Sequence, residues 1–131
     1  MKKLLILQMR PEDEPTESEF KTILRLGGID KDQVHRIRVE QGKETDVDLD
    51  DYFAIIAGGS PFDISCAPEK KSEAQIQVES FFNSLFDKVI PNDFPFLGAC
   101  SGNGLLGNYC GVKISGTFGE PIGTVMIHIT E

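Results

Sequence analysis

Short apolar runs alternate along this chain with longer segments whose apolar positions recur every three or four residues. Residues 3–8 and 52–57 are apolar runs of the kind that form strands covered on both faces of a sheet. Residues 69–89 carry apolar side chains at helical spacing, which predicts a long amphipathic helix ending before Pro91. Strands and helices therefore alternate from the first residues onward.

The segment after the first strand predicts a helix and then a second strand. Thr16 is followed three residues later by Glu19, a capping-box pattern, so we expect the helix to begin near Thr16. Gly27-Gly28 predicts a left-handed cap at its end. Residues 34–39 alternate imperfectly, which favours a strand near a sheet edge, and residues 40–51 predict a polar loop.

The carboxyl-terminal third predicts a helix over about 102–109 with Gly111 as its cap, and then two strands. We expect these strands at 112–114 and 122–129, joined across the turn 119–121. Alternating elements of these lengths imply right-handed crossovers and a mostly parallel sheet with helices on both faces. The predicted fold is thus a flavodoxin-like open α/β sheet with an added antiparallel hairpin.

A candidate nucleophile lies within residues 94–107, which read as a buried strand turning sharply into a helix. Cys100 stands at the turn, with Gly98 two residues before it and Gly102 two residues after it. Glycines at these positions remove the side chains that would clash in such a turn, as in the nucleophile elbow of hydrolases. The start of the following helix favours a thiolate, because its N–H groups and dipole are positive.

Composition and charge exclude several classes of function. The chain has 131 residues, enough for one domain, and 40% hydrophobic residues, enough for a core. Thirteen basic residues against 21 acidic ones give a net charge of −8, which disfavours nucleic acid and anionic membranes as partners. We find no pattern of a secretory leader, a membrane span or a bound cofactor.

The cysteines and acidic residues predict neither disulfides nor a metal centre. The chain has an odd number of cysteines without metal-ligand spacing: Cys66, Cys100 and Cys110. Unpaired cysteines are typical of proteins in the reducing cytoplasm. Residues 12–14 are consecutive carboxylates that cannot converge on one ion, so we expect a solvated loop there.

Together these features resemble the class I glutamine amidotransferases, in particular the free-standing GMP-synthase-like members. Residues 57–61 look like the family's glycine loop, and residues 95–107 look like its nucleophile strand and helix. Residues 119–123 look like the hairpin that follows. The resemblance covers nearly all of residues 1–131 as one amidotransferase-like domain, which we expect to be incomplete at its carboxyl end.

The resemblance implies hydrolysis of a glutamine side-chain amide. Cys100 would form a thioester, and the released ammonia would pass to a synthetase partner. The backbone N–H groups of Gly59 and Ser101 match the family's oxyanion hole, which leaves the Ser101 side chain free to vary. Gly58 and Gly104 match positions that line the substrate site.

Two positions depart from the family pattern. Gly104, preceded by Asn103, stands where the family has a glutamine that helps to hold the substrate. The family's His-X-Glu motif is absent, since His128 lies three residues from Glu131 on a strand-like run. We interpret His128 as a half-exposed strand residue and His35 as a surface residue.

Three interpretations remain open at the level of sequence. The first is a glutamine amidotransferase-like cysteine hydrolase that lacks its base-bearing segment. The second is a related cysteine hydrolase acting on another amide or γ-glutamyl compound, and the third is a non-catalytic binding module with the same fold. Because a sheet without its last elements exposes apolar surface, we also expect self-association.

Overall fold

The computed structural model describes residues 1–119 and 123–131, which form an open α/β sheet with four parallel strands. The strands are β1 (Lys3–Gln8), β2 (Val34–Arg38), β3 (Tyr52–Ala57) and β4 (Phe96–Gly98). Their order is β2-β1-β3-β4, and each neighbouring pair is parallel. This is the predicted flavodoxin-like arrangement, with β1 and β3 central and β2 at an edge.

Helices cover both faces of the sheet, as predicted. They are α1 (Asp13–Gly27), α2 (Glu73–Val89) and α3 (Ser101–Tyr109). Alternate residues of β1 face opposite sides: Leu4 and Ile6 pack with Phe20 of α1, whereas Leu5 and Leu7 belong to the core of α2 and α3. The continuous apolar runs of the sequence therefore reflect burial on both faces.

The predicted start of α1 is wrong. The helix begins at Asp13, and Thr16 lies inside its first turn, where its Oγ1 donates to the carbonyls of Glu12 at 2.6 Å and Arg10 at 3.0 Å. The carboxylates predicted as a solvated loop form the beginning of the helix, where negative charge complements the dipole. The end of α1 is confirmed, because Gly28 takes the left-handed conformation with φ +59°.

The long helix α2 begins later than predicted. Ser72 caps it by accepting a hydrogen bond from the N–H of Gln75 at 3.2 Å, so the helix starts at Glu73 rather than near residue 69. Residues 68–70 form a short 3₁₀ turn instead.

The predicted carboxyl-terminal hairpin is not confirmed. Gly111 follows α3 with φ +86°, as its predicted role as a cap requires. Residues 112–114 and 123–129 contain no strand, and the rest of the predicted hairpin, 120–122, lies outside the described residues. Within the described ranges, no helix combines the length and the apolar character that crossing a membrane would need.

Candidate active site

Cys100 occupies a strained turn between β4 and α3. Its backbone angles are φ +54° and ψ −110°, a combination that L-residues with side chains rarely adopt. The side chain is exposed. A cysteine held in this conformation and presented to solvent has the geometry that the nucleophile-elbow prediction required.

The two flanking glycines are required by backbone packing on either side of the turn. A Cβ on Gly98 would lie 2.5 Å from the carbonyl carbon of Gly102. A Cβ on Gly102 would lie 2.7 Å from the carbonyl oxygen of Ala57 and 2.9 Å from the Ala57 Cβ. Since real Cβ atoms do not approach other atoms so closely, only glycine permits α3 to begin against the end of β3.

Backbone hydrogen bonds join the turn to the glycine loop that follows β3. The N–H of Ala99 donates to the carbonyl of Ala57 at 2.9 Å, and the N–H of Gly102 donates to the carbonyl of Gly58 at 3.1 Å. The N–H of Gly58 itself donates to the carbonyl of Leu7 at 3.0 Å. The N–H and the carbonyl of Gly58 are therefore both used in backbone hydrogen bonds within the fold. The predicted contact of Gly58 with substrate stays a prediction.

Gly59 lies beside Cys100, as the oxyanion-hole prediction expected. A Cβ on Gly59 would be 3.5 Å from the Cys100 Cβ and 2.5 Å from the Nη2 of Arg10. The Gly59 N–H, however, donates to the Oε2 of Glu19 at 3.1 Å. The amide expected to receive an oxyanion thus has a carboxylate as its acceptor.

The carboxylate of Glu19 is held by three donors at this point. Besides the Gly59 N–H, the Nε2 of Gln8 donates to Oε1 at 2.9 Å, and the Nε of Arg10 approaches Oε2 at 3.4 Å. The sequence pattern had assigned Glu19 to a capping box with Thr16, which the structure contradicts. Glu19 lies on α1, eleven residues after the end of β1, and the residues around it in the sequence carry no signal of this contact.

A buried glutamine connects this carboxylate to the edge of the sheet. Gln8 is fully buried, and its Oε1 accepts from the Nε of Arg36 at 2.6 Å. Because Arg36 can only donate, Gln8 must present its oxygen to Arg36 and its NH₂ group to Glu19. Arg36 also donates to Glu17 at 2.8 Å, and this hydrogen bond holds the pKa of the Glu17 carboxyl below its ordinary value.

The Ser101 side chain is not free to vary, contrary to expectation. It is buried, its Oγ accepts from the N–H of Ser60 at 3.0 Å, and the two hydroxyl oxygens lie 2.8 Å apart. Among the described residues, no acceptor pairs with the Ser101 backbone N–H, the second predicted oxyanion donor. Ser101 therefore fastens the loop after Gly59 to the first residue of α3.

Gly104 adjoins an apolar side chain where the family has glutamine. A Cβ on Gly104 would lie 2.8 Å from the Cδ1 of Ile64, which belongs to the loop between β3 and α2. A longer side chain at position 104 would therefore displace Ile64.

Neither histidine completes a triad with Cys100. The Nδ1 of His35, near the amino end of β2, lies 2.5 Å from the hydroxyl of Tyr52. The prediction of His128 as a half-exposed strand residue is wrong, because His128 is exposed and lies outside any strand. In residues 1–119 and 123–131, no hydrogen bond joins a histidine to the Cys100 thiol. A cavity of about 520 Å³ lies elsewhere, against Arg36 and Arg38 of β2, and it does not include Cys100.

The described part of the chain contains no group of three or more His, Cys, Asp or Glu residues arranged to hold a metal ion. Comparisons with protein-family models, with curated proteins and with solved structures gave no match.

Proposed function

We propose that this protein is a cysteine hydrolase of the glutamine amidotransferase type, with Cys100 as its nucleophile. The observation that carries the proposal is the backbone of Cys100, which is held at positive φ between β4 and α3 beside the Gly59 loop. A fold maintains such a conformation only when surrounding contacts impose it, and strain of this kind clusters at catalytic sites.

The proposed reaction begins with attack of the Cys100 thiolate on the carbon of a side-chain amide. A C–S bond forms, and the carbonyl electron pair moves onto oxygen, where the N–H groups of Gly59 and Ser101 would stabilise the charge. The C–N bond then breaks, and ammonia leaves after its nitrogen gains a proton. Water hydrolyses the resulting thioester and regenerates the thiol. The protons pass through solvent, since neither described histidine pairs with the thiol.

A diazoketone analogue of glutamine tests this proposal through the rate of covalent labelling at each cysteine. Cys110 is also exposed, but it caps the carboxyl end of α3 with an ordinary negative φ of −75°, so it serves as an internal reference within the same molecule. We expect Cys100 to be labelled about tenfold faster than Cys110 or more, and L-glutamine to protect Cys100 alone. The control Cys100→Ser removes that label. Equal labelling of the two cysteines without protection would refute the assignment and leave a non-catalytic binding module.

A second candidate reaction is hydrolysis of another amide or a γ-glutamyl compound. The contact between Gly104 and Ile64 favours it, because an apolar side chain adjoins the position that recognises glutamine in the family. Protection of Cys100 by a γ-glutamyl dipeptide but not by glutamine would select this candidate. In the amidotransferase reaction, the ammonia acceptor would be a synthetase partner.

The state of the thiols agrees with a reducing cytoplasm as the compartment we propose. Cys66, Cys100 and Cys110 are all free, and a nucleophilic thiol persists best where disulfides are reduced.

A further inference from the structure

We propose that Glu19 is an internal plug of the oxyanion site, which must leave the Gly59 amide before Cys100 can be acylated. This inference rests on the proposed function, because it assigns Gly59 to the oxyanion hole. Glu19, on α1, would regulate when the N–H of Gly59 is available to the oxyanion.

The Glu19 carboxylate accepts the hydrogen bond of the same N–H that the reaction would need as an oxyanion donor. The Glu19 Oε2 accepts the Gly59 N–H at 3.1 Å, and Oε1 lies close enough to Gly58 that a Cβ there would be 2.5 Å away. A single N–H donates one strong hydrogen bond. A tetrahedral intermediate can therefore use the Gly59 donor only after Glu19 gives it up.

The surrounding groups stabilise this closed arrangement. Gln8 is fully buried and donates to Glu19 at 2.9 Å, while Arg36 fixes the orientation of the Gln8 amide. Arg10 supplies a positive charge, with its Nε at 3.4 Å from the Glu19 carboxylate. The Glu19 side chain is 18% exposed, so one side of the carboxylate still reaches solvent.

Arg10 allows the Glu19 carboxylate to move away from Gly59 without losing its ion pair. The Arg10 side chain is 31% exposed, and its Nη2 lies on the Gly59 side of the guanidinium, at the edge of the elbow. A carboxylate that leaves Gly59 can keep its pairing with Arg10, so opening breaks the hydrogen bond from the Gly59 N–H and retains the ion pair. Glu19 is thus a positioning residue rather than a catalytic one.

Two reactions of the same thiol separate the plug from a general effect on reactivity. In acylation by p-nitrophenyl acetate, the thiolate attacks the ester carbon, an oxyanion forms, and p-nitrophenolate leaves. In alkylation by iodoacetamide, the thiolate displaces iodide and no oxyanion forms. Both rates are measured at Cys100 by peptide mapping of the full chain, with Cys100→Ser as the blank.

We expect Glu19→Ala to raise the ratio of acylation to alkylation about tenfold or more, since one oxyanion donor is typically worth about 10²–10³ in rate. Glu19→Gln keeps an acceptor without the charge and should raise the ratio less. Glu14→Gln removes one exposed charge from the same helix and should leave the ratio unchanged. Circular dichroism and the Gly59 amide resonance, which should move upfield in Glu19→Ala, confirm folding and the loss of the hydrogen bond.

An unchanged ratio in a folded Glu19→Ala variant would overturn the plug, whether both rates stay the same or rise by the same factor. Failure of the proposed function has a different signature, because the glutamine analogue would then not distinguish Cys100 from Cys110 in any variant.

Discussion

The N–H of Gly102, in the first turn of α3, donates to the carbonyl oxygen of Gly58, at the end of β3, at 3.1 Å. This bond joins the turn at Cys100 to the glycine loop after β3. It explains why the two glycine-rich segments of the sequence meet at one point. One segment supplies the N–H and the other the carbonyl, and the two groups can pair only when the backbones come close together.

Gly102→Ala should destabilise the protein, although alanine is the better helix former. The added Cβ would lie 2.7 Å from the Ala57 carbonyl oxygen, and such overpacking costs about 1–3 kcal/mol. Gly107→Ala in the same helix places its Cβ at an ordinary 3.6 Å from Ile114. It should stabilise the protein by about 0.5–1 kcal/mol. Urea unfolding of both variants measures the difference, and destabilisation of equal size would contradict the packing at Gly102.

Cys100→Gly should be more stable than Cys100→Ala. Both variants lose the thiol, but glycine adopts φ +54° without the strain that a Cβ imposes there, which is about 1–3 kcal/mol. Ala99→Gly is the control, because the neighbouring residue has no positive φ and should lose about 0.5–1 kcal/mol. Free energies of unfolding from chemical denaturation give the comparison. A Cys100→Gly variant no more stable than Cys100→Ala would show that the turn is relaxed.

Ser101→Ala should release the loop after Gly59. The variant removes the acceptor of the Ser60 N–H at 3.0 Å, and leaving such a group unpaired costs about 1–3 kcal/mol. Hydrogen exchange at the Ser60 amide should accelerate as well. Ser18→Ala, at an exposed position of α1, should change neither quantity by much. Unchanged exchange at Ser60 would remove the structural role assigned to the Ser101 side chain.

Arg36→Gln should raise the pKa of the Glu17 carboxyl toward its ordinary value of 4.5. In the folded protein the hydrogen bond from Arg36 lowers this pKa, so Glu17 contributes stability at pH values above about 4.5. That contribution disappears as the pH falls through the lowered value, and the stability gap between the wild type and the variant should shrink in acid. Carboxyl ¹³C titration measures the pKa. The pKa of Asp46, lowered by Lys88, is the control that should not move.

Self-association is expected from the apolar side chains after α3. Phe118, Met126 and Ile129 are 92%, 87% and 92% exposed, and apolar surface of this kind favours contact between copies of the chain. Sedimentation velocity at high concentration should show a dimer. Met126→Ser with Ile129→Ser should weaken it, whereas Leu26→Ser, at an exposed position of α1, should not. A single monomeric species at all concentrations would disprove this prediction.

The four parallel strands and the position of Cys100 could be predicted because they depend on local patterns, whereas the two strands predicted after α3 are not confirmed. A continuous apolar run specifies burial on both faces wherever it occurs, and Gly98 and Gly102 mark a tight turn by their spacing alone. Elements whose limits depend on caps were placed less accurately, since the pattern at Thr16 suits a cap but the chain places that residue inside the helix.

The contacts that complete the candidate site could not be predicted, because they join segments far apart in the chain. Glu19 and Gly59 are 40 residues apart, and Ser60 and Ser101 are 41 apart. Nothing in the residues around Glu19 indicates a hydrogen bond to a glycine amide. The buried pairing of Gln8 with Arg36 also depends on which strands become neighbours.

The turn at Cys100 depends on its hydrogen bonds to the carbonyls of Ala57 and Gly58 as much as on its own neighbours in the sequence. A peptide of residues 94–110 would contain the whole motif but nothing to keep its cysteine at positive φ. Any unusual chemistry of that sulfur is therefore acquired only when α3 docks onto an assembled sheet. The moment at which Cys100 gains its reactivity during refolding would therefore report when this docking takes place.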